Sequence, residues 1–241
     1  MRSVMFPETP QSAIVLLCST DDASRARGVQ VVAEVYWTVI YRHLRRRFHM
    51  PPEQAEDVSQ AFFLHLVETD LFSAYDRANA RFRTYLRHCL DNFAIDTHRK
   101  ASSKRRRAIE NDLDFASVEA SLAAEASDPS SFDRDWIRHV AEVAVERTLV
   151  ALERNNKAKH AELFRRFHLH DEVPSYQSVA DELGVTVTDV TNWLHAARRE
   201  FRTVALSLLR EITASEEEFA DEARDVFGID VVRSKSVGSA T

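Results

Sequence analysis

Residues 175–202 read SYQSVADELGVTVTDVTNWLHAARREFR, and two helices with a tight turn between them can be read from this stretch alone. Ser175 offers a side-chain oxygen to the open amides of a helix whose inward residues are Val179, Ala180 and Leu183. Gly184 follows directly and is the only glycine between Val29 and Phe227, so it stands where a left-handed turn needs a residue without Cβ. Thr186 and Asp189 then make a Thr-x-x-Asp capping pair for a second helix, whose inward line is Val190, Trp193/Leu194, Ala197 and Phe201. Small Ala180, a glycine turn and inward Val190 are what the closely crossing helices of a helix-turn-helix require; an ordinary pair of packed helices is the alternative. In that motif the second helix enters the major groove of DNA. Its outward residues would be Thr188, Thr191, Asn192 and His195, followed by Arg198, Arg199 and Arg202. Thr and Asn donate and accept at base edges, while Arg reads guanine or neutralises phosphate.

A second informative stretch, RFRTYLRHCLDNFAIDTHRKASSKRRR, spans Arg81–Arg107. Phe82, Leu86, Cys89/Leu90, Phe93 and Thr97 recur at three and four and predict an apolar helix face. Tyr85, His88, Asn92, Asp96 and Arg99 step the same way and form a second, hydrogen-bonding face. Ten Lys/Arg lie between Arg77 and Arg107 against Asp91 and Asp96, in a chain whose net charge is -6. The charge is therefore placed rather than spread. Two readings fit it: an amphipathic core helix with a solvated basic end, or a surface that neutralises phosphates and stacks unpaired bases on its rings.

Composition narrows the class. The chain has 241 residues, 44% hydrophobic and 29% charged, which is ordinary for soluble globular proteins and leaves room for one large or two small domains. Glycine is scarce and alternating β-branched runs are missing, so an all-α fold is expected: two helical domains joined by a linker, the second with the helix-turn-helix. Cys18 and Cys89 form no CxxC pair, which points away from a disulfide framework or thiolate zinc site and fits a reducing cytoplasm. The apolar run Ala13–Cys18 is shorter than a signal-peptide core, and a soluble cytoplasmic protein is expected. Nucleophile elbow, Walker and dinucleotide patterns all need glycines that this chain lacks. His168, His170, Asp171 and Glu172 form the one cluster that suggests a metal, but histidines two apart do not face each other on a helix, so no metal is assigned.

In chain order, residues 1–28 read as a flexible lead-in, and Val32, Val35/Tyr36, Val39/Ile40, Leu44 and Phe48 predict a first long helix from Val29. Pro51-Pro52 ends it and suits the first turn of the next helix, roughly Glu53–Glu68, with Val58, Phe62 and Leu66 inward. Phe63 lies off that line and is either extra core or an aromatic anchor for a partner. Domain 29–107 is then followed by an acidic, small-residue-rich linker over 108–134, a helical domain over 135–212, and an acidic C-terminal extension over 213–241. The extension, with Phe219, Ala223 and Val226/Phe227 available for one face of a short amphipathic helix, either packs on the basic surface or simply solubilises, and with the acidic linker it is expected to compete there with phosphate.

Taken together, these stretches resemble the sigma factors of bacterial RNA polymerase, in the two-domain form called extracytoplasmic function (ECF). AEDVSQAFFLHL resembles that family's core-binding helix, with Asp57, Gln60 and Phe63 at the matching positions. FRTYLRHCLDNFAIDTHRK resembles its promoter −10 segment, and residues 176–202 its −35 helix-turn-helix. Ala61 stands where the family often carries an acid, and Asp91 where an arginine commonly precedes the Asn. The resemblance implies a region 2-like domain over 29–107 and a region 4-like domain over 135–212. Asp57, Gln60 and Phe63 would bind core polymerase; Arg81, Tyr85, His88, Asn92, Arg99 and Lys100 would hold the −10 strand, with the loop Tyr75–Arg81 shaping a base pocket. Core RNA polymerase and promoter DNA are the implied partners, and the family admits an anti-sigma factor. No catalysis or cofactor is implied. A helix-turn-helix regulator acting without polymerase, and a helical nuclease or modifying enzyme using the His168–Glu172 cluster, are the other classes left open.

Overall fold

The computed structural model describes residues 12–17, 19, 21–69, 75, 80–108, 129–170 and 172–231, with 101–108 and 129–130 as backbone only. All regular structure among them is helical: α1 Ala13–Leu17, α2 Asp22–Arg47, α3 Pro52–Glu68, α4 Phe82–Ala108, α5 Pro129–Arg154, α6 Ala158–His168, α7 Tyr176–Leu183, α8 Val187–Ile212 and α9 Glu216–Phe227. The chain is all-α, and none of these helices is long and apolar enough to cross a membrane. Two compact units are present, one of residues up to His139 together with those from Arg210 onward, the other Val140–Leu209.

The first unit is built on α2. Asp21 caps it by accepting from the Ser24 amide at 2.8 Å, and the Ser24 hydroxyl together with that amide holds the carboxyl below its usual range. Val32, Val35, Tyr36, Val39, Ile40 and Leu44 are buried along one side, the line set by their spacing. Pro52 opens α3, where its missing amide costs nothing. The rings of Phe82 from α4 and Trp136 from α5 meet Tyr36 at 5.8 and 6.2 Å between centroids.

The lead-in is shorter than the sequence reading has it. Residues 1–11 lie outside the described residues, but α2 starts at Asp22, and α1 buries Ala13, Ile14 and Leu17 against it. Gly28 makes this possible. A Cβ there would lie 2.7 Å from the Ala13 carbonyl and 3.0 Å from the Leu17 amide, so only glycine lets the two backbones approach this closely. Gly28→Ala is therefore expected to destabilise by about 1–3 kcal/mol through overpacking, although alanine in an exposed helix would gain about 1 kcal/mol. Urea unfolding decides the sign; a stabilised variant would mean that α1 yields without cost.

Other boundaries shift as well. Residues 109–128 lie outside the described residues, while α5 begins at Pro129, inside the expected linker, and buries Phe132 and Trp136. Residues 135–139 and 210–212, assigned above to the second domain, belong with the first unit.

The acidic extension forms the short amphipathic helix its spacing allows, and of the two alternatives it takes the packed one. Ser215 caps α9, Gly228 closes it in the left-handed conformation at φ 64°, and Phe219 and Ala223 are buried. Two of its carboxylates, Glu218 and Glu222, are buried too, because they have partners elsewhere in the first unit. Glu218 accepts from the Phe82 amide and the Ala214 amide, both at 2.7 Å, and so caps α4 from a distant part of the sequence. Glu222 pairs with the buried Arg83 at 2.7 Å, and Arg83 also lies 3.2 Å from Asp133 and over the Trp136 ring. Burial pushes the Glu222 carboxyl up to about 7, against the pull of Arg83 and Arg81. The folded state thus binds this proton more tightly than the unfolded chain, and the group's contribution to stability falls as pH rises from about 4.5 through about 7. Glu222→Gln should flatten that fall in urea titrations across this range; an unchanged pH slope would contradict it.

In the second unit, Leu163 and Phe167 of α6, Val179 and Ala180 of α7, and Val190 and Leu194 of α8 form one buried cluster. A second joins Leu152 of α5, Ala161 and Phe164 of α6, and Ala197 of α8.

Candidate nucleic-acid interface

Local chemistry fixes α7, the turn and α8. Ser175 Oγ accepts from the Ser178 amide at 3.0 Å and starts α7. Gly184 sits at φ 63°; its amide returns to the Asp181 carbonyl at 3.4 Å and the Val185 amide to that of Ala180 at 3.0 Å, the paired closure of a glycine-ended helix. Thr186 and Asp189 cap α8 reciprocally, amide to side chain, at 3.1 Å in each direction. The Thr186 hydroxyl, which donates to the Asp189 carboxylate at 2.6 Å, and then the Thr186 amide hold that carboxyl below its usual range. Arg166 on α6 reaches Glu182 on α7 at 2.8 Å and Glu162 at 2.7 Å, and Glu182 is held low in turn.

With Val190, Leu194 and Ala197 buried, the opposite side of α8 is fixed. Thr188, Thr191, Asn192, His195, Arg198, Arg199 and Arg202 are all exposed and recur at three and four, forming one outward line. Polar groups occupy its N-terminal half and arginines its C-terminal half. Thr191 Oγ1 donates to the Val187 carbonyl at 2.8 Å, which leaves its lone pairs outward. Arg198 Nε donates to His168 Nε2 at 3.0 Å. Partial burial, with the Arg198 charge second, lowers the His168 pKa and favours the neutral acceptor. His168 is therefore engaged with an arginine, and among the described residues no group of three His, Cys, Asp or Glu could hold a metal; Asp171 lies outside them.

On α4, Phe82, Leu86, Leu90 and Ala94 are buried, while His88, Asn92, Asp96, Arg99 and Lys100 are exposed at helical spacing. Tyr85 is half-buried with its ring 5.1 Å from that of Tyr75, and burial pushes its hydroxyl up to about 12. Residues 76–79 of the expected base-pocket loop lie outside the described residues, as do the side chains of Lys104–Arg107. Arg81 differs from the expected strand contact: it pairs with Asp225 at 2.6 Å, Asp221 at 3.6 Å and Glu222 at 3.7 Å. Asp91 pairs with the buried His43 at 2.7 Å and lies 3.3 Å from Arg47, tying α4 to α2. Its place beside Asn92 is thus explained by packing.

On α3, Asp57 and Gln60 are exposed, but Phe63 is not. Its ring stacks on Trp37 at 5.5 Å and is 8% exposed, so it belongs to the core and cannot act as an open anchor. Leu64, 57% exposed, lies on the line of Asp57, Gln60 and Ala61, with Val67 beside it. This apolar group was missed because the sequence alone does not say which of two adjacent large residues finds a ring to stack on.

No family model matches this chain, and neither does any curated protein or solved structure compared with it.

Proposed function

We propose that this protein is a sigma-type initiation factor that binds core RNA polymerase and directs it to promoters by contacts at −35 and −10. The observation that carries the reading is the outward line of α8. Seven exposed side chains, base-edge readers followed by phosphate binders, stand on a helix whose entry is fixed by a glycine turn and a capping box, the arrangement of a helix-turn-helix recognition helix. A second exposed line, His88, Asn92, Arg99 and Lys100 on α4, supports a strand-holding role at −10, where unpaired bases need hydrogen-bonding groups and phosphates need cations. A regulator acting without polymerase would use α8 alone and would leave the α4 line unexplained.

The exposed face of α3 is the proposed polymerase contact. Asp57→Ala and Leu64→Ala alter exposed groups and should weaken capture by purified core polymerase while leaving the unfolding midpoint unchanged. Phe63→Ala should lower stability by about 3–5 kcal/mol, as truncation of a buried ring does. Failure of the unaltered protein to be captured at all would remove the polymerase part of the reading.

A further inference from the structure

The carboxylates of α9 are not scattered. Glu218, Asp221, Glu222 and Asp225 recur at three, four and seven, so they form a single stripe, and the stripe faces the start of α4. Its members differ in depth. Glu218 is 9% and Glu222 1% exposed, bound to the Phe82 amide and to buried Arg83. The side chains of Asp221 and Asp225 are 50% and 41% exposed, and both engage Arg81, itself 31% exposed. The inner pair anchors the helix; the outer pair meets one cation at the protein surface.

An exposed ion pair is weak and exchanges readily with competing ions. A phosphate brings the same charge and the same acceptor geometry to a guanidinium as a carboxylate does. The two aspartates are nevertheless held at Arg81 by a helix whose apolar side and inner carboxylates are buried, so their local concentration does not depend on dilution. Arg81 therefore meets any incoming strand already occupied by a built-in acidic competitor.

From this we infer that Asp221 and Asp225 of α9 are an exchangeable anionic cover for Arg81, which a single-stranded nucleic acid must displace to gain its phosphate contact there. The inference rests on the proposed −10 strand role of α4 and adds its regulation. It also differs from a passive tail, since the exchangeable part is two surface aspartates on one cation, while Glu222, 3.7 Å from the same guanidinium, stays buried.

The test uses the full-length chain and a labelled single-stranded DNA oligonucleotide of mixed sequence. Asp221→Asn/Asp225→Asn should bind it about three- to tenfold more tightly at low salt, the range expected for two exposed ion pairs. The gain should disappear at high salt and in an Arg81→Ala background. Glu216→Gln/Glu217→Gln makes the same change of net charge on the same helix and should give no such gain. Equal affinities for the wild type and the Asp221/Asp225 variant at every salt concentration would overturn the cover while leaving strand binding intact. An equal gain from the Glu216/Glu217 variant would also overturn it, as a net-charge effect. No binding by any of the proteins would overturn the strand-binding reading and the cover with it.

Discussion

Ending the chain at residue 212 is expected to destabilise the first unit by about 5 kcal/mol or more, a large part of the roughly 5–15 kcal/mol that holds a domain together. The truncation removes the buried Phe219 ring, and burial of a Phe side chain is worth about 3–5 kcal/mol. It strips Arg83 of the carboxylate 2.7 Å away and leaves it only Asp133 at 3.2 Å; removing one side of a buried pair costs up to about 3–5 kcal/mol. It also opens the Phe82 amide that Glu218 caps at the start of α4. The two large terms share one helix and will not add fully. A shift of the urea midpoint to much lower denaturant, with earlier proteolysis within α4, is the expected result. An unchanged midpoint would mean that α9 is held to the unit by less than its burial implies. For the same reason, truncation cannot be used to ask whether the extension competes with DNA, and paired aspartate substitutions are needed.

The second large effect concerns base recognition. Asn192 stands exposed in the second turn of α8, and an amide side chain there can make paired bonds to a base edge. Asn192→Ala should relax preference at one base pair by about 1–3 kcal/mol, whereas Arg199→Ala or Arg202→Ala should weaken binding to all sequences and lower the salt slope by about one unit. Arg198 differs from these two because His168 already holds its Nε. Selection from a randomised duplex library, followed by titration over a salt series, checks both statements. Unchanged preference at every position for the Asn192 variant would contradict the docking.

Features set by neighbouring residues were legible in the sequence. The caps at Ser175 and Thr186, the left-handed Gly184 and the inward line of α8 depend on positions within one or two turns, and the residue types there leave few alternatives. The helical line of α2 follows from spacing in the same way. What was not legible depends on distant segments. Arg81 and Arg83 read as part of a basic DNA face because their partners, Glu222 and Asp225, lie in a segment that on its own looks like a solvated acidic tail. The run Ala13–Leu17 is too short to show a period, and its burial depends on the absence of a side chain at Gly28. Phe63 and Leu64 are adjacent and similar in hydrophobicity, and the Trp37 ring decides which of them is covered. Asp91 departs from the resembling family's pattern for a reason visible only once α2 lies beside it, since His43 needs a partner in a buried setting.

The proposed function makes one requirement that no regulator or enzyme shares: core polymerase must gain promoter choice from this chain. The direct measurement is transcription in vitro by purified core RNA polymerase on duplex fragments carrying the sequence selected by α8 at −35 and a randomised −10 region, with and without the protein. The account predicts transcripts from defined start sites that appear only when the protein is present and that are lost with Asn192→Ala. Binding to the selected duplex without any protein-dependent transcript would contradict it, and would leave α8 as the recognition helix of a regulator that works without polymerase.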